Sequence, residues 1–259
     1  MNKKTFNFEN MDMELNKNEV HIWHFDLDKF NKDKTLMEKI LSQDELSRAN
    51  AFHFEKDRKN FVCGRGLLRL LISKYSGISP ELINLEYGDF GKPVLKKTQN
   101  SNSIYFNLSH SGDFIVFGFT LKSKIGIDIE FLEPKPDLIE LAEKYFSLYE
   151  YKILDTLSEE QKIEAFYNCW TRKEAFIKAI GKGLSFPLKS FAVSLTPGEE
   201  TKIVKFPREE RKITEDLFLD SFEDSSHLVG AVAVLGVVNK VKHFKLDDHS
   251  LLLAELTKY

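Results

Sequence analysis

The sequence predicts an α+β protein of two similarly built halves that join near Lys122. Three observations carry this. Stretches in which apolar residues alternate with others, the mark of a strand, occur in both halves, at residues 20–28 and 125–130. Each half also holds a long segment of helical period, at residues 57–72 and 161–180. Finally, landmarks repeat in order. A strand ending in Asp28 is followed by Ser42-x-x-Glu45 and then Phe61; a strand ending in Glu130 is followed by Ser147-x-x-Glu150 and then Phe166, at an equal interval from serine to phenylalanine. Beyond these landmarks the halves share little identity.

Taken in order, residues 1–18 are polar and charged and are expected to be poorly ordered. After the strand at 20–28, Ser42 and Glu45 form the S-x-x-E capping box of a helix that runs through Arg48 and Ala49. The helix over 57–72 places Phe61, Val62, Leu68, Leu71 and Ile72 on its packed side, with Arg58, Arg65 and Arg69 elsewhere around it, and Gly77 and Pro80 stop it. Residues 87–93 are turn-rich. A strand at 104–108 leads into Ser109-His110-Ser111-Gly112-Asp113, and an apolar strand at 114–121 returns from it. In the second half, a helix follows Pro136 from about 137 to 145, Ser147 and Glu150 supply another capping box, and the helix over 161–180 ends at Gly181 and Gly183. Strands are expected at 191–195, 202–206 and 216–222. Residues 227–238 read as a central strand buried on both faces, and 249–256 as a short helix.

The chain of 259 residues carries 37 basic and 40 acidic side chains, a balance of −3 that gives no global field for nucleic acid or membrane. No apolar run approaches the ~18 residues of a membrane span, and no leader-like apolar stretch opens the chain. Cys63 and Cys169 lie far apart with no metal-ligand spacing, so a reducing, cytoplasmic setting is expected. The 22 phenylalanines predict an aromatic core. His21, His24, His53, His227, His243 and His249 show no metal spacing, and Gly181-Lys182-Gly183 lacks the form of a phosphate-binding loop.

The chemistry concentrates at Ile125-Gly126-Ile127-Asp128-Ile129-Glu130. In a strand, Asp128 and Glu130 share one face and the three isoleucines the other. Two acids aimed at one point suit a cation; a half-buried strand with a wet face explains them about as well. On the 161–180 helix, Glu174 and Lys178 follow one turn apart on the flank of an apolar arc that contains Trp170, and Lys173 falls inside that arc. A surface ion pair of a few tenths of a kcal/mol is one reading. The other makes Glu174 the third ligand of a Mg²⁺ site with Lys178 beside a phosphate.

Asn107-Leu108-Ser109-His110-Ser111, Gly126 to Glu130, and Trp170-Thr171-Arg172-Lys173-Glu174-Ala175-Phe176-Ile177-Lys178 through Leu184, in this order and with Gly91-Lys92-Pro93 upstream, resemble the 4′-phosphopantetheinyl transferase superfamily in its longer, surfactin-synthetase-activator type. The resemblance covers roughly residues 20–240. It implies a monomeric pseudo-dimer of two α/β subdomains, each with a sheet packed on a long helix and with the active site in the cleft between them. Residues 1–121 would form the coenzyme A 3′-phosphate and adenosine side, and 122–259 the magnesium and pyrophosphate side. The implied activity moves 4′-phosphopantetheine from coenzyme A to a serine of an acyl or peptidyl carrier protein.

Residue by residue, the resemblance implies Asp128, Glu130 and Glu174 as Mg²⁺ ligands and Lys178 and Lys173 as pyrophosphate contacts. Lys92, Ser109, His110 and Arg48 would serve the 3′-phosphate and adenosine end, and Glu150 is the candidate general base, with a metal-bound water as its rival. Without the resemblance, Glu150 reads as the helix-capping acid of its S-x-x-E. Glu45 stands where some members carry a further lysine, while Arg58, Arg65 and Arg69 suit either ligand contact or a solvated helix face. Lys144, Lys152 and Lys162 are expected near an acidic carrier. A Mg²⁺-dependent hydrolase of the same pyrophosphate, or a coenzyme A-binding module, are the alternatives.

Overall fold

The computed structural model describes residues 14–88, 90–207, 213, 215–224 and 227–245. The tail before residue 14 and the helix expected at 249–256 lie outside them. The strand expected at 20–28 is β1 (Glu19–Asp26), whose last residue caps a short 3-10 turn. Two short helices follow, α1 (Lys34–Lys39) and α2 (Gln43–Asn50). At the start of α2 the Ser42 hydroxyl accepts from the Glu45 amide at 3.3 Å, and Glu45 accepts from the Ser42 amide at 3.0 Å. The long helix α3 (Glu55–Ser76) ends at Gly77, whose φ of +73° needs no Cβ penalty.

A small hairpin of β2 (Leu85–Tyr87) and β3 (Pro93–Leu95) leads to β4 (Ile104–Ser111) and β5 (Phe114–Leu121). The strand expected at 104–108 thus runs on to Ser111, so Ser109, His110 and Ser111 alternate along a strand instead of rounding a turn. The second half contains β6 (Lys124–Phe131), α4 (Leu138–Tyr145), α5 (Leu148–Thr156) and α6 (Glu159–Ile180). Helix α6 begins earlier than its apolar period predicts because Ser158 and Gln161 form a third capping box. The chain continues through β7 (Ala192–Val193), β8 (Ile203–Lys205), β9 (Leu217–Asp224), β10 (Leu228–Leu235) and β11 (Lys240–Lys245).

Four strands form one sheet in the order β11-β1-β5-β4, and three form another in the order β6-β10-β9, with β10 central as expected. Every pairing in these two sheets is antiparallel except that of β1 with β11, which brings the last described strand back to the first half's sheet. The first core packs α3 against Trp23, Phe25, Phe106, Phe117 and Phe119. The second packs α6 through Phe166, Cys169, Phe176 and Ile177 against Val229, Ala231, Ala233 and Phe191. A third lies between the sheets, where Val20, Ile22 and Val116 meet Ile125, Ile127, Ile129, Val232 and Val234. The isoleucines of β6 therefore face the other sheet, and Gly126, Asp128 and Glu130 face α6. Fully burying one such isoleucine is worth about 1.5–3 kcal/mol, so this alternation fixes the register.

Candidate active site

The site is built where α6 presses on β6. A Cβ on Gly126 would stand 2.0 Å from the Ala175 carbonyl oxygen and 2.4 Å from the Ala179 nitrogen, so helix and strand backbones touch there and only glycine fits. That contact sets Glu174 and Lys178, which flank Ala175 and Ala179 in sequence, beside Asp128 and Glu130. The four side chains line one cleft of about 460 Å³ together with Leu108, Ser109, His110 and Trp170.

Strand β6 is the edge of its sheet, and its outward backbone groups find partners in side chains of the first half and of α6. The Ile127 amide donates to Asn107 Oδ1 at 2.9 Å, and the Phe131 amide to Ser111 Oγ at 3.3 Å. Lys178 Nζ donates to the Ile127 carbonyl at 3.2 Å, to Ser109 Oγ at 3.1 Å and to Asp128 Oδ1 at 2.6 Å. Ser109 Oγ donates to the same Asp128 oxygen at 2.7 Å, and Ser111 Oγ to Glu130 Oε2 at 2.9 Å. Alternate residues of β4, Asn107, Ser109 and Ser111, thus hold β6 at Ile127, Asp128, Glu130 and Phe131.

The electrostatics are those of crowded, partly desolvated acids. Glu174 is pushed up to about 7, first by burial and then by Asp128 and Glu130, against the pull of Lys178. Glu130 is raised by burial and then by Asp128. His110, at the rim, is held below the usual imidazole range by desolvation and then by Lys178. Asp128 Oδ2 is buried without a hydrogen-bond partner. Among the described residues no three His, Cys, Asp or Glu side chains are gathered closely enough to hold a metal ion. One acid oxygen carries Lys178 and another carries Ser111.

Other sequence-predicted residues lie elsewhere. Glu150 is fully buried: Oε2 accepts from the Ser147 amide and hydroxyl, each at 2.7 Å, and Oε1 from the Val193 amide at 2.8 Å. Lys173 is likewise buried, 2.8 Å from Glu150, and donates to the Leu188 and Phe191 carbonyls at 2.8 and 2.7 Å. Neither lines the cleft, because each satisfies the other inside the second core. Lys92 reaches β6 and α6 through its ammonium but meets backbone carbonyls and is not among the residues lining the cleft. Arg48 is exposed on α2, 5.4 Å from the Phe61 ring centre; buried Arg65 stacks on the same ring and on Tyr87. Arg69 is buried on Glu45 at 2.7 Å. The residues sequence reasoning missed are Asn107 and Ser111. Their signal was available in the period-two polar run of Asn107, Ser109 and Ser111.

Comparison with known proteins bears on both halves. Residues 29–120 match the family described as 4′-phosphopantetheinyl transferase, N-terminal. Residues 124–231 match the 4′-phosphopantetheinyl transferase superfamily. The 4′-phosphopantetheinyl transferase HetI of Nostoc sp. is 39% identical over 189 residues, 73% of this chain and 79% of that protein. The 4′-phosphopantetheinyl transferase Sfp of Bacillus subtilis is 34% identical over 156 residues, 60% of this chain and 67% of Sfp. The human L-aminoadipate-semialdehyde dehydrogenase-phosphopantetheinyl transferase is 30% identical over 210 residues, 75% of this chain and 67% of its own length.

Proposed function

The chain belongs to the 4′-phosphopantetheinyl transferase superfamily, in its Sfp type, and on that premise we propose that it transfers the 4′-phosphopantetheine arm of coenzyme A to a serine of an acyl or peptidyl carrier protein, releasing adenosine 3′,5′-bisphosphate. The observation that carries this reading is the cleft in which three carboxylates and Lys178 share one wall.

The acids suit a divalent cation by donor type, although their oxygens would have to draw closer than they stand here to hold one. All are oxygen donors, as Mg²⁺ prefers; Asp128 Oδ2 is buried and unpartnered; and burial, followed by the neighbouring acids, raises Glu130 and Glu174. Asp128, Glu130 and Glu174 would hold Mg²⁺, which when bound supplies Lewis-acid polarisation of the pyrophosphate. Lys178 puts a positive charge beside them to balance pyrophosphate oxygens. Ser109, His110 and, from α2, Arg48 face the 3′-phosphate and adenosine end in this reading. Leu108 and Trp170 supply the apolar part of the lining.

Glu150 keeps only its capping role here, since its oxygens already accept from Ser147, Val193 and Lys173. The carrier would approach along α5 and α6, where Leu148 is 69% exposed and Lys152 and Lys162 stand near. We read the molecule as a monomeric pseudo-dimer, with residues 1–121 on the adenosine side and 122–259 on the pyrophosphate side, and with β11 returned to the first sheet. Support comes from the matched helices compared below. The buried free thiols of Cys63 and Cys169 suit a cytoplasmic setting. Among the described residues no helix is long and apolar enough to cross a membrane.

Incubation with coenzyme A, Mg²⁺ and an apo carrier protein, followed by mass spectrometry of the carrier, tests this. The expected result is a carrier heavier by one phosphopantetheine. Nucleotide release with an unchanged carrier would instead identify a pyrophosphate hydrolase, and coenzyme A binding without turnover a binding module.

A further inference from the structure

Lys92 comes from the first half, in the loop that joins β2 to β3, yet its ammonium is held by the second. It donates to the Ile125 carbonyl at 2.6 Å and to the Lys178 carbonyl at 2.9 Å. Both acceptors are groups that secondary structure leaves open. Ile125 lies on β6, the edge strand, and Lys178 lies in the last turn of α6, whose carbonyls have no partner further along the helix. A cation is favoured at that helix end. The same ammonium therefore ties the edge of β6 to the end of α6 beside the Gly126 contact, where the two backbones touch.

The residue whose carbonyl Lys92 holds is also the residue whose side chain enters the cleft. From this backbone position, Lys178 Nζ reaches Ile127 O, Ser109 Oγ and Asp128 Oδ1. We propose that Lys92 is a positioning residue, which fixes where the ammonium of Lys178 meets Asp128, and that it does so from outside the ligand-binding wall. This rests on the transferase reading and adds to it a residue that acts through another. Burial, reinforced by Lys178 and Lys124, pulls Lys92 down to about 8, as expected for an ammonium facing carbonyls without a carboxylate.

The test compares two donors, coenzyme A and its 3′-dephospho form, in carrier modification by wild type and by Lys92→Met. A positioning role predicts that kcat falls about 10- to 100-fold with both donors alike, and that the ratio of kcat/KM between donors stays within about threefold of wild type. A rise in KM confined to coenzyme A would make Lys92 a phosphate ligand and overturn the proposal. So would a lowered melting temperature with kcat per folded molecule unchanged. If Lys92→Met does not fold, Lys92→Arg, which keeps donors for both carbonyls, decides on the same ratio: an unchanged ratio with lowered kcat supports the proposal, and selective loss of coenzyme A overturns it. A wild type inactive with both donors would overturn the transferase reading and this inference together, a result distinct from each of the others.

Discussion

Two helices of 22 residues, α3 and α6, organise the two halves, and each is locked in the same way. On the first, Arg69 pairs with the capping acid of α2, Glu45, and donates to the Pro80 and Ile83 carbonyls at 2.8 and 3.0 Å. On the second, Lys173 pairs with the capping acid of α5, Glu150, and donates to the Leu188 and Phe191 carbonyls. Both helices end in a left-handed glycine, Gly77 and Gly181. What differs is the filling between helix and strand. Matching the equal-length β1 and β6 end to end sets Trp23 opposite Asp128 and Phe25 opposite Glu130, and matching the helices at Arg69 and Lys173 sets Leu70 opposite Glu174. The first half closes this space as a core; the second lines it with acids and leaves a cleft. The capping acid belongs to the scaffold common to both halves, and that is why Glu150 is not at the surface.

Making the second half resemble the first is the most severe way to probe this difference. Glu174→Leu should lower carrier modification by about 1,000-fold or more, while the melting temperature at pH 8 stays equal or rises. A carboxyl raised to about 7 favours the folded state below its unfolded value near 4.5 and loses that contribution as pH climbs through 7, so leucine removes a liability. Retained turnover would return Glu174 to the surface-pair reading.

The shared lock can be broken on either side. Glu45→Leu and Glu150→Leu should each cost about 3–5 kcal/mol in denaturant unfolding, because each strands a buried cation. Replacing both members of a pair, Glu150→Leu with Lys173→Met, should recover most of it. A Glu150→Gln protein of near-normal stability but without turnover would restore the catalytic role expected from the family resemblance.

The seam between the sheets offers a pH test. His24 lies 3.0 Å from His243, with Asp224 and Lys245 adjoining, and burial followed by the charge of His243 pulls it down to about 4. A depressed folded value means the stabilising contribution is present above about 6.5 and lost as pH falls through 4. That is roughly 3 kcal/mol over the interval. Chemical denaturation between pH 7 and 4 should show this slope, and His24→Leu should flatten it.

The smallest effects compare two tight glycines. Gly126→Ala meets helix backbone and should cost about 1–3 kcal/mol with a disproportionate loss of activity. Gly66→Ala meets buried Met37, whose Cβ would lie 2.9 Å away, and should also cost stability, but with activity intact. Equal activities in the two variants would remove the link drawn between backbone contact and site.

Much of this was legible in the chain. The β6 alternation, the period of α6 and the serine–glutamate caps are local patterns, and local patterns survive into the fold. The burial of Glu150 and Lys173 was not legible, because residue type alone cannot distinguish a buried lysine satisfied by an acid and two carbonyls from one facing a phosphate. Lys92 was legible as a lysine near the site but not as a strut, since its partners are backbone groups that every sequence contains. Strand β11 was missed because its polar residues resemble a loop until β1 is there to pair with.

That strand has a consequence for how the molecule is made. β1 leaves the ribosome well before β11, yet one of its flanks is completed only by residues 240–245, with Phe244 stacked on Trp23 at 4.4 Å. Until then the nascent first half exposes a bare strand edge and an uncovered tryptophan, a template for mispairing with other chains. Synthesis as far as β11 is the condition for closing the flank of β1, and a fragment cut between the halves would inherit the nascent chain's exposed edge permanently.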